Sequence, residues 1–387
     1  MARSDYGIYQ PLLHRLAEDS ELRLVLFVAG MHLSPEFGMT IRLIEADGFE
    51  IAAKVEMLLS SDTPEGVAKS TGLGVIGFAQ AYSQCKPDLL VVLGDRFEMM
   101  AAAVAALPFK IPIAHIHGGE VTHGAIDESL RHSITKLSHL HFVATDKYAR
   151  RVAQLGEEPW RIIVSGAPSL DNLEGFVPMS PDELKAQFGL ELERPPLLVT
   201  FHPVTLEYEK TQWHVSELLA ALEEANLPIV FTLPNADTAG RSIIRQLQAF
   251  AETHANAQLV DNLGTKAYFS LMSISAAMVG NSSSGIIEAA SFKLPVVNIG
   301  TRQEGRTRPR NVIDVGYQRT EILNGIRTAV SKEFRQALHN LANPYGCGRA
   351  AQLIADRLHA IELNQTLIVK RFHDLPVTVR PGEASQL

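Results

Sequence analysis

Carboxylate and imidazole side chains cluster behind two apolar segments in the first half of the chain. These residues are Asp95, Arg96, His115, His117, Glu120 and His123. Carboxylates and imidazoles that converge in one cleft are suited to general acid–base transfer of a proton. The histidines, including His132, lack the HExxH motif or any comparable spacing, so the pattern predicts no metal site.

A helical pattern follows, in which acidic and basic residues lie four positions apart. Asp127 is four residues before Arg131, and Glu128 is four residues before His132. Side chains at this spacing are neighbours on one helix face. They could form surface ion pairs, or they could add carboxylates to the same cleft.

Hydroxyl and basic side chains follow apolar segments in the second half. Ser282, Ser283 and Ser284 come directly after one such segment and open a helical pattern at 286–290, where hydroxyl and backbone N–H groups can hold a phosphate. The same serines could simply cap a helix. Glu288, one turn later, is suited to accept hydrogen bonds from ribose hydroxyls. The turn 300–306 offers the guanidinium groups of Arg302 and Arg306 to a diphosphate.

Short apolar segments that alternate with helix-period stretches must position these groups, and this alternation predicts βα units with parallel sheets. The predicted strands are 22–29, 89–93, 111–116, 140–145, 162–164, 197–201, 229–233, 258–260, 276–279 and 296–299. Ligands of open α/β sheets bind beyond the carboxyl ends of the strands, so the polar turns should line one rim of each sheet. Two facing rims would form an interdomain cleft.

The length of 387 residues favours two domains, and the proline-containing stretch near 165–195 is the expected junction. The net charge of −8 predicts no bulk attraction to nucleic acid or to anionic membranes. The two cysteines have no paired spacing, and no apolar run approaches the length of a membrane span. We therefore expect a cytoplasmic enzyme without nucleic-acid or membrane partners.

Two glycine-containing patterns are set aside because their contexts are wrong. The segment 72–77 spells GxGxxG, but a polar run precedes it where a dinucleotide-binding motif needs a strand. We expect it to be a loosely wound helix start that packs against the sheet. The segment 280–284 has Ser284 where a GxSxG nucleophile elbow needs its second glycine, so a serine hydrolase is not indicated.

Eight ordered motifs between residue 3 and about residue 365 resemble those of hydrolysing UDP-N-acetylglucosamine 2-epimerases. They are RSDYG at 3–7, GDRFE at 94–98, HIHGGE at 115–120, DESLRHSITK at 127–136, FHPVT at 201–205, PNAD at 234–237, GNSSSGIIE at 280–288 and GTRQ at 300–303. The resemblance implies an α/β protein with two Rossmann-like domains of the GT-B type and an interdomain cleft. The implied boundaries are residues 1–170 and 171–368, with a tail at 369–387.

The resemblance also implies a two-step reaction that supplies a sugar for sialic acid or a related nonulosonate. Anti elimination of UDP from UDP-N-acetylglucosamine gives a glycal, and addition of water then gives free N-acetylmannosamine. This chemistry needs a base near C2, an acid for the water step and cations for the departing diphosphate. No metal or other cofactor is expected. The resemblance implies a homodimer or a homotetramer.

By this resemblance, Asp95, Asp127 and His202 fall on catalytic positions, with His115 beside them. Further residues are expected to bind the nucleotide, its diphosphate or the rest of the substrate. They are Arg3, Arg96, Arg131, Asn235, Ser282, Ser283, Ser284, Gly285, Glu288 and Arg302.

One departure from the family lies in the catalytic motif. Relatives carry Glu where this chain has His117, so Glu120 or Asp127 is a candidate to take the proton at C2. The altered residue also keeps a second substrate open, namely a UDP- or GDP-linked 2,4-diacetamido-2,4,6-trideoxy sugar of the legionaminic acid route.

A second departure lies at the start of the sequence. Relatives have an apolar strand before the turn that contains Arg3, whereas this chain begins two residues earlier, at Met1. We expect the first sheet to lack an internal strand and the natural reading frame to start about ten residues upstream.

Three other functions remain as alternatives. A non-hydrolysing epimerase shares the fold and the elimination step, but its members read HxEAGLR where this chain reads HIHGGE. A GT-B glycosyltransferase would keep the nucleotide motifs without the Asp95 and Asp127 pattern. A non-catalytic nucleotide-sugar sensor would bind the substrate without turning it over.

Overall fold

The computed structural model describes residues 5–59, 61, 63–123, 126–233, 240–261 and 263–375. Strands and helices alternate along both halves, as the apolar segments predict. The first half contains α1 (Tyr6–Glu18), β1 (Leu26–Ala29), α2 (Ile41–Ala46), β2 (Ile51–Val55), α3 (Pro64–Cys85), β3 (Leu90–Leu93), α4 (Phe97–Ala106), β4 (Ile113–Ile116), α5 (Asp127–Leu137), β5 (Leu140–Val143), α6 (Asp146–Gln154) and β6 (Ile162–Val164).

The second half repeats this pattern and ends in helices. It contains α7 (Pro181–Phe188), β7 (Leu197–Thr200), α8 (Thr211–Ala225), β8 (Ile229–Thr232), α9 (Gly240–Thr253), β9 (Ala257–Val260), α10 (Gly264–Ile274), β10 (Ala277–Gly280), α11 (Ser284–Ile287), β11 (Val296–Ile299), β12 (Val312–Val315), α12 (Arg319–Val330), α13 (Lys332–Ala337), α14 (Ala350–Ala360) and α15 (Gln365–Ile368). Short 3₁₀ helices at 168–173 and 205–210 lie between these elements.

Every strand pair formed by the described residues is parallel. The second half has one six-stranded sheet in the order β12-β11-β10-β7-β8-β9. The central strands β7, β10 and β11 are fully buried, as is usual for parallel strands that helices cover on both faces. Parallel strands place their carboxyl ends on one rim, which is where the predicted turns lie.

The strands of the first half form two sheets, one with β1 and β2 and one in the order β3-β4-β5-β6. The two sheets share their cores, because Val28 of β1 packs in one cluster with Leu93 of β3. Phe27 and Val92, from the same two strands, share a second cluster. The expected upstream start of the reading frame stays a prediction.

Three details differ from the sequence-based expectation. The strands β2 and β12 were not predicted, and both lie at sheet edges with incompletely buried side chains. The segment 72–77 is not a helix start but the interior of α3, which begins after Thr63. A Cβ atom at Gly74 would lie 2.5 Å from Met57 Cε, so the glycine allows the helix to approach its neighbours closely.

The chain ends by returning to the first half. Ile354 of α14 packs in the same core cluster as Leu12 and Val28. Arg161, only 1% exposed, donates hydrogen bonds to the carbonyl groups of Thr366, Leu367 and Val369. The positions of the domain boundaries stay a prediction. None of the helices in the described ranges is long and apolar enough to cross a membrane.

Candidate active site

Arg131 of α5 joins the carboxyl ends of β3 and β4. Its guanidinium group is 1% exposed and forms an ion pair with Asp95, which follows β3 after Gly94. It also donates to Glu128 Oε2 at 3.1 Å and to the carbonyl oxygen of Glu120 at 3.2 Å. Asp95, Glu120 and Glu128 are therefore held around one buried cation. Because Arg131 is buried, its interactions are not the surface ion pairs that the helix spacing also allowed.

Glu128 completes this cluster at the first turn of α5. It accepts a hydrogen bond from the Thr122 backbone at 2.6 Å, and it lies 3.0 Å from His132 Nε2, as the i,i+4 spacing predicts. Burial raises its pKa, but hydrogen bonds from His132 and Thr122 outweigh this effect and hold the pKa below its usual value. Glu128 is thus an ionised partner of Arg131. Asp127, one residue earlier, is half-buried.

His115 is buried beneath this rim rather than exposed in it. Its Nε2 atom lies 2.7 Å from the Gly94 carbonyl oxygen, and its Nδ1 atom lies 3.1 Å from Thr135 Oγ1. Burial lowers its pKa to about 3, so the ring is neutral at physiological pH. His115 therefore supports the turn at Gly94, which precedes Asp95, and both of its nitrogens are engaged.

The turn after β4 places His117 in an unusual backbone conformation. Its φ of +66° is in the left-handed region, which costs energy for residues with a side chain. The backbone N–H of His117 donates to the Phe142 carbonyl at 2.9 Å, and its Nδ1 atom lies 2.6 Å from Glu120 Oε1. Gly119 is left-handed too, and a Cβ atom there would lie 2.6 Å from the Tyr148 carbonyl oxygen. The turn is therefore tightly constrained.

Glu120 connects the two halves of the molecule. Its Oε2 atom lies 3.1 Å from Arg306 Nη1, which belongs to the turn after β11. Burial would raise the pKa of Glu120, but the charges of Arg306 and His117 outweigh this effect and hold it below its usual value. Sequence reasoning assigned Arg306 to a diphosphate and could not show that it also pairs with Glu120. The ion pair brings the rim of the first half against that of the second.

Asn281 organises the rim of the second half. Its side chain accepts from the His202 backbone N–H at 2.7 Å and donates to the His202 carbonyl at 2.8 Å, so the ends of β7 and β10 are tied together. Its own carbonyl accepts from Arg302 at 3.1 Å and from Gln303 at 2.8 Å. Asn281 and Gln303 were not among the predicted site residues. The signal available was an amide directly after a buried strand.

The serine turn follows Asn281 as predicted, but the helix after it is short. Ser282, Ser283 and Ser284 are half-buried, and α11 ends at Ile287 before a 3₁₀ turn, Ala289–Phe292. The expected helical run at 286–290 is thus divided. Gly280, which precedes the turn, has a φ of +135°, and a Cβ atom there would lie 2.0 Å from the Thr200 carbonyl oxygen. Gly285 is buried, with its Cα facing Val296 of β11.

Glu288 lies buried beneath the serine turn. One of its carboxylate oxygens accepts a hydrogen bond from Ser169, while Oε2 has no hydrogen-bond partner among the described residues. Burial raises its pKa to about 7. Tyr268, which the sequence analysis missed, lies beside the same turn, and burial raises its pKa to about 12 against the effect of hydrogen bonds from Thr200 and Ser284.

The remaining predicted residues occupy different parts of the two rims. Arg96 is half-buried after β3, with its Nε atom 3.8 Å from the fully buried Glu98. Arg3 and Asn235 lie outside the described residues. In the described ranges, no three His, Cys, Asp or Glu side chains are grouped as a metal site requires.

Comparison with known proteins identifies the architecture. The sequence profile of UDP-N-acetylglucosamine 2-epimerases matches residues 14–359. The chain belongs to this 2-epimerase family. A crystal structure of the Neisseria meningitidis UDP-GlcNAc 2-epimerase bound to UDP-GlcNAc superposes with a TM-score of 0.79 at 19% identity, covering 92% of this chain and 97% of that one. The prediction of two Rossmann-like domains of the GT-B type is confirmed.

Several relatives of this 2-epimerase have named substrates. A GDP/UDP-N,N'-diacetylbacillosamine 2-epimerase (hydrolyzing) from Campylobacter jejuni is 40% identical over 86% of this chain and 87% of its own length. A UDP-N,N'-diacetylbacillosamine 2-epimerase (hydrolyzing) from Legionella pneumophila is 36% identical over 95% of this chain and 96% of its own length. A UDP-N-acetylglucosamine 2-epimerase from Neisseria meningitidis serogroup B is 33% identical over 85% of each chain. Membership of the hydrolysing 2-epimerase family is thereby confirmed.

The two rims of this 2-epimerase offer complementary chemistry. The first contributes carboxylates around Arg131 and the His117–Glu120 pair, which are groups that can move a proton. The second contributes hydroxyls, backbone N–H groups and the guanidinium groups of Arg302 and Arg306, which are donors for a diphosphate. The arrangement can therefore hold a nucleotide on one side while a proton is exchanged on the other.

Proposed function

We propose that the protein is a hydrolysing 2-epimerase of UDP-linked N,N'-diacetylbacillosamine, which is a 2,4-diacetamido-2,4,6-trideoxy sugar. The observation that carries the reaction type is the Glu120–Arg306 ion pair of 3.1 Å, because it holds proton-transfer groups and diphosphate donors across one cleft. The names of the Campylobacter and Legionella relatives support the choice of sugar.

The proposed reaction has two steps, and together they invert C2. A base removes the proton from C2, its electron pair forms the C1–C2 double bond, and the C1–O bond to the diphosphate breaks with release of UDP. Water then adds its oxygen to C1, and C2 receives a proton on the opposite face. Buried guanidinium groups stabilise the negative charge that develops on the leaving diphosphate. Arg306 fits this role because its side chain is 8% exposed and its Nε atom makes no hydrogen bond to the described residues.

Site residues take the following roles in this proposal. Asp95, Asp127 and His202 occupy the catalytic positions that the family resemblance implies, and His115 fixes the turn before Asp95. Ser282, Ser283 and Glu288 contact the nucleotide, with Glu288 Oε2 available to accept from a ribose hydroxyl. Arg302 contacts the diphosphate. Arg3 and Asn235 keep the nucleotide-binding roles implied by the resemblance.

A substitution of Asp95 tests whether the rim of the first half carries out proton transfer. Asp95→Asn should retain UDP binding but lower kcat by about 100-fold or more, because an amide cannot exchange a proton with the substrate and does not balance the charge of Arg131. Steady-state release of UDP, with UDP binding measured by calorimetry, checks this. Near wild-type turnover would refute the role of Asp95.

UDP-N-acetylglucosamine is the second candidate substrate, favoured by the name of the meningococcal relative. Proton NMR of the protein with UDP-N-acetylglucosamine and, separately, with UDP- and GDP-linked N,N'-diacetylbacillosamine distinguishes the candidates. Free 2-epimerised sugar and UDP from the UDP-linked diacetamido substrate are expected. An equilibrium of nucleotide-linked epimers would show a non-hydrolysing enzyme, and binding without turnover would show a sensor.

The proposal includes the expected homodimer or homotetramer acting in the cytoplasm. Light scattering coupled to size-exclusion chromatography measures the oligomeric state. A monomer at working concentration would remove that part of the proposal without affecting the chemistry.

A further inference from the structure

Within the described ranges, the imidazole of His117 has a hydrogen-bond partner at only one of its two ring nitrogens. Its Nδ1 atom lies 2.6 Å from Glu120 Oε1, and Arg306 pairs with the second oxygen of that carboxylate. The Nε2 atom makes no hydrogen bond to any residue in the described ranges. A carboxylate on one ring nitrogen favours a proton there and leaves the lone pair on the other nitrogen. The geometry therefore sets up Nε2 as a proton acceptor.

Glu120 itself is poorly placed to take a proton from a substrate. It is 2% exposed, and each of its oxygens already has a cationic or N–H partner. Burial would raise its pKa, but the charge of Arg306 and the hydrogen bond from His117 outweigh this effect and hold the pKa below the usual range, which makes Glu120 a weak base. Its position suits a residue that orients His117.

From this geometry, and resting on the proposed function, we infer that His117 Nε2 is the base that removes the C2 proton, with Glu120 as the residue that positions it. Nε2 binds the proton while Nδ1–H stays hydrogen-bonded to Glu120. The C2–H electron pair forms the C1–C2 double bond, and the C1–O bond breaks with its pair going to UDP. The carboxylate of Glu120 stabilises the imidazolium ion that results.

The conformation of His117 agrees with this assignment. His117 is one of six described residues other than glycine that have a positive φ, and backbone strain of this kind is often found at functional sites. The charged groups around it come from four elements. They are Glu120 in its own turn, Arg306 in the turn after β11, Glu288 after α11, and Arg151 of α6, which donates to the Gly119 carbonyl. His115, from β4, adds a neutral ring.

Two variants test the inference by their dependence on pH. His117→Asn keeps a residue type that tolerates the left-handed region, so folding should survive. It should lower kcat at least about 100-fold with little change in KM. Glu120→Gln should lower the plateau rate about tenfold and move the acidic limb of the kcat/KM profile to lower pH, because the imidazolium ion loses its carboxylate. Both are assayed by UDP release from the substrate that the wild type turns over.

Glu157→Gln is the matched control, since Glu157 also pairs with a buried histidine, His141, at 3.0 Å. This variant should keep the wild-type profile. An acidic limb that stays in place in Glu120→Gln would overturn the inference, as would His117→Asn with a wild-type rate. If His117→Asn fails to bind UDP, the profile of Glu120→Gln decides alone. Lack of turnover by the wild type would refute the proposed function as well, whereas failure in the variants alone would refute only the role of His117.

Discussion

The first half of the chain buries two histidine–glutamate pairs, His117 with Glu120 and His141 with Glu157. Their separations are 2.6 Å and 3.0 Å, and both carboxylates have a lowered pKa. His141 lies inside strand β5 with regular backbone, and Lys370 Nζ sits 2.8 Å from its partner Glu157. The first pair instead follows the end of β4, where the backbone is left-handed.

The two pairs differ in their backbone position, because one lies inside a strand and the other follows a strand end. His141 is fully buried in a strand, and burial lowers its pKa despite the hydrogen bond to Glu157. It can support the sheet but cannot reach a ligand. His117 follows a strand end, where parallel sheets bind their ligands, and the cation of its pair comes from the other half of the molecule. Of the two pairs, His117–Glu120 is therefore the one that lies where a ligand could bind.

The largest expected effect is on the stability that the His141–Glu157 pair gives to the fold. Glu157→Gln should lower the free energy of unfolding by about 3 kcal/mol at pH 7, because His141, Lys136 and Lys370 lose a buried carboxylate. Burial raises the pKa of Glu157, but those partners lower it to about 2. The stabilisation is therefore complete above the unfolded-state pKa near 4.5 and is lost as pH falls towards 2.

Denaturant titrations of both proteins from pH 7 down to pH 3 measure this. The difference in the free energy of unfolding between wild type and variant should become smaller below pH 4.5. A gap that stays constant with pH, or a fall in kcat with the fold intact, would contradict the structural assignment of this pair.

Removing a cation that contacts each glutamate should affect catalysis differently in the two pairs. Arg306→Gln should lower kcat/KM about tenfold or more, because a buried charged interaction is worth about 1.5–3 kcal/mol. Lys370→Gln, which removes a cation from Glu157, should change kcat/KM by less than about twofold. Initial rates at saturating and limiting substrate check both. An equal loss of kcat/KM in the two variants would contradict a difference in role between the two pairs.

The smallest expected effect is the difference in stability between a glycine and an alanine variant, which should have opposite signs at positions 117 and 141. At position 117, glycine should be more stable than alanine by about 1 kcal/mol, because glycine adopts positive φ without strain. At position 141, inside a strand, alanine should be more stable by about 0.5–1 kcal/mol. Thermal unfolding of His117→Gly, His117→Ala and the same two changes at His141 tests this. The same order at both sites would show that His117 is not strained.

The sequence predicts where the site residues stand along the fold but not how they pair. Asp95, His117 and His202 each follow an apolar segment, so their places at strand ends can be inferred from order alone. The β2 and β12 segments were missed because edge strands carry exposed side chains, which weakens their apolar pattern. Their absence from the prediction did not affect the rims.

Pairing within the site depends on distances that no local pattern encodes. Arg306 meets Glu120 only because the two halves face each other. Arg131 pairs with Glu128 on α5 itself but also with Asp95 beyond another strand end, which helix spacing does not indicate. Left-handed backbone at His117 could not be foreseen, since the sequence places a residue other than glycine there.

Hydrolysing epimerisation through a glycal is tested by running the reaction in D₂O with UDP-linked N,N'-diacetylbacillosamine and following it by proton NMR. We expect release of UDP together with the free 2-epimer carrying deuterium at C2, because the incoming proton comes from a solvent-exchanged acid. A product that remains attached to UDP, or one that retains its original C2 proton, would contradict hydrolysing epimerisation through a glycal.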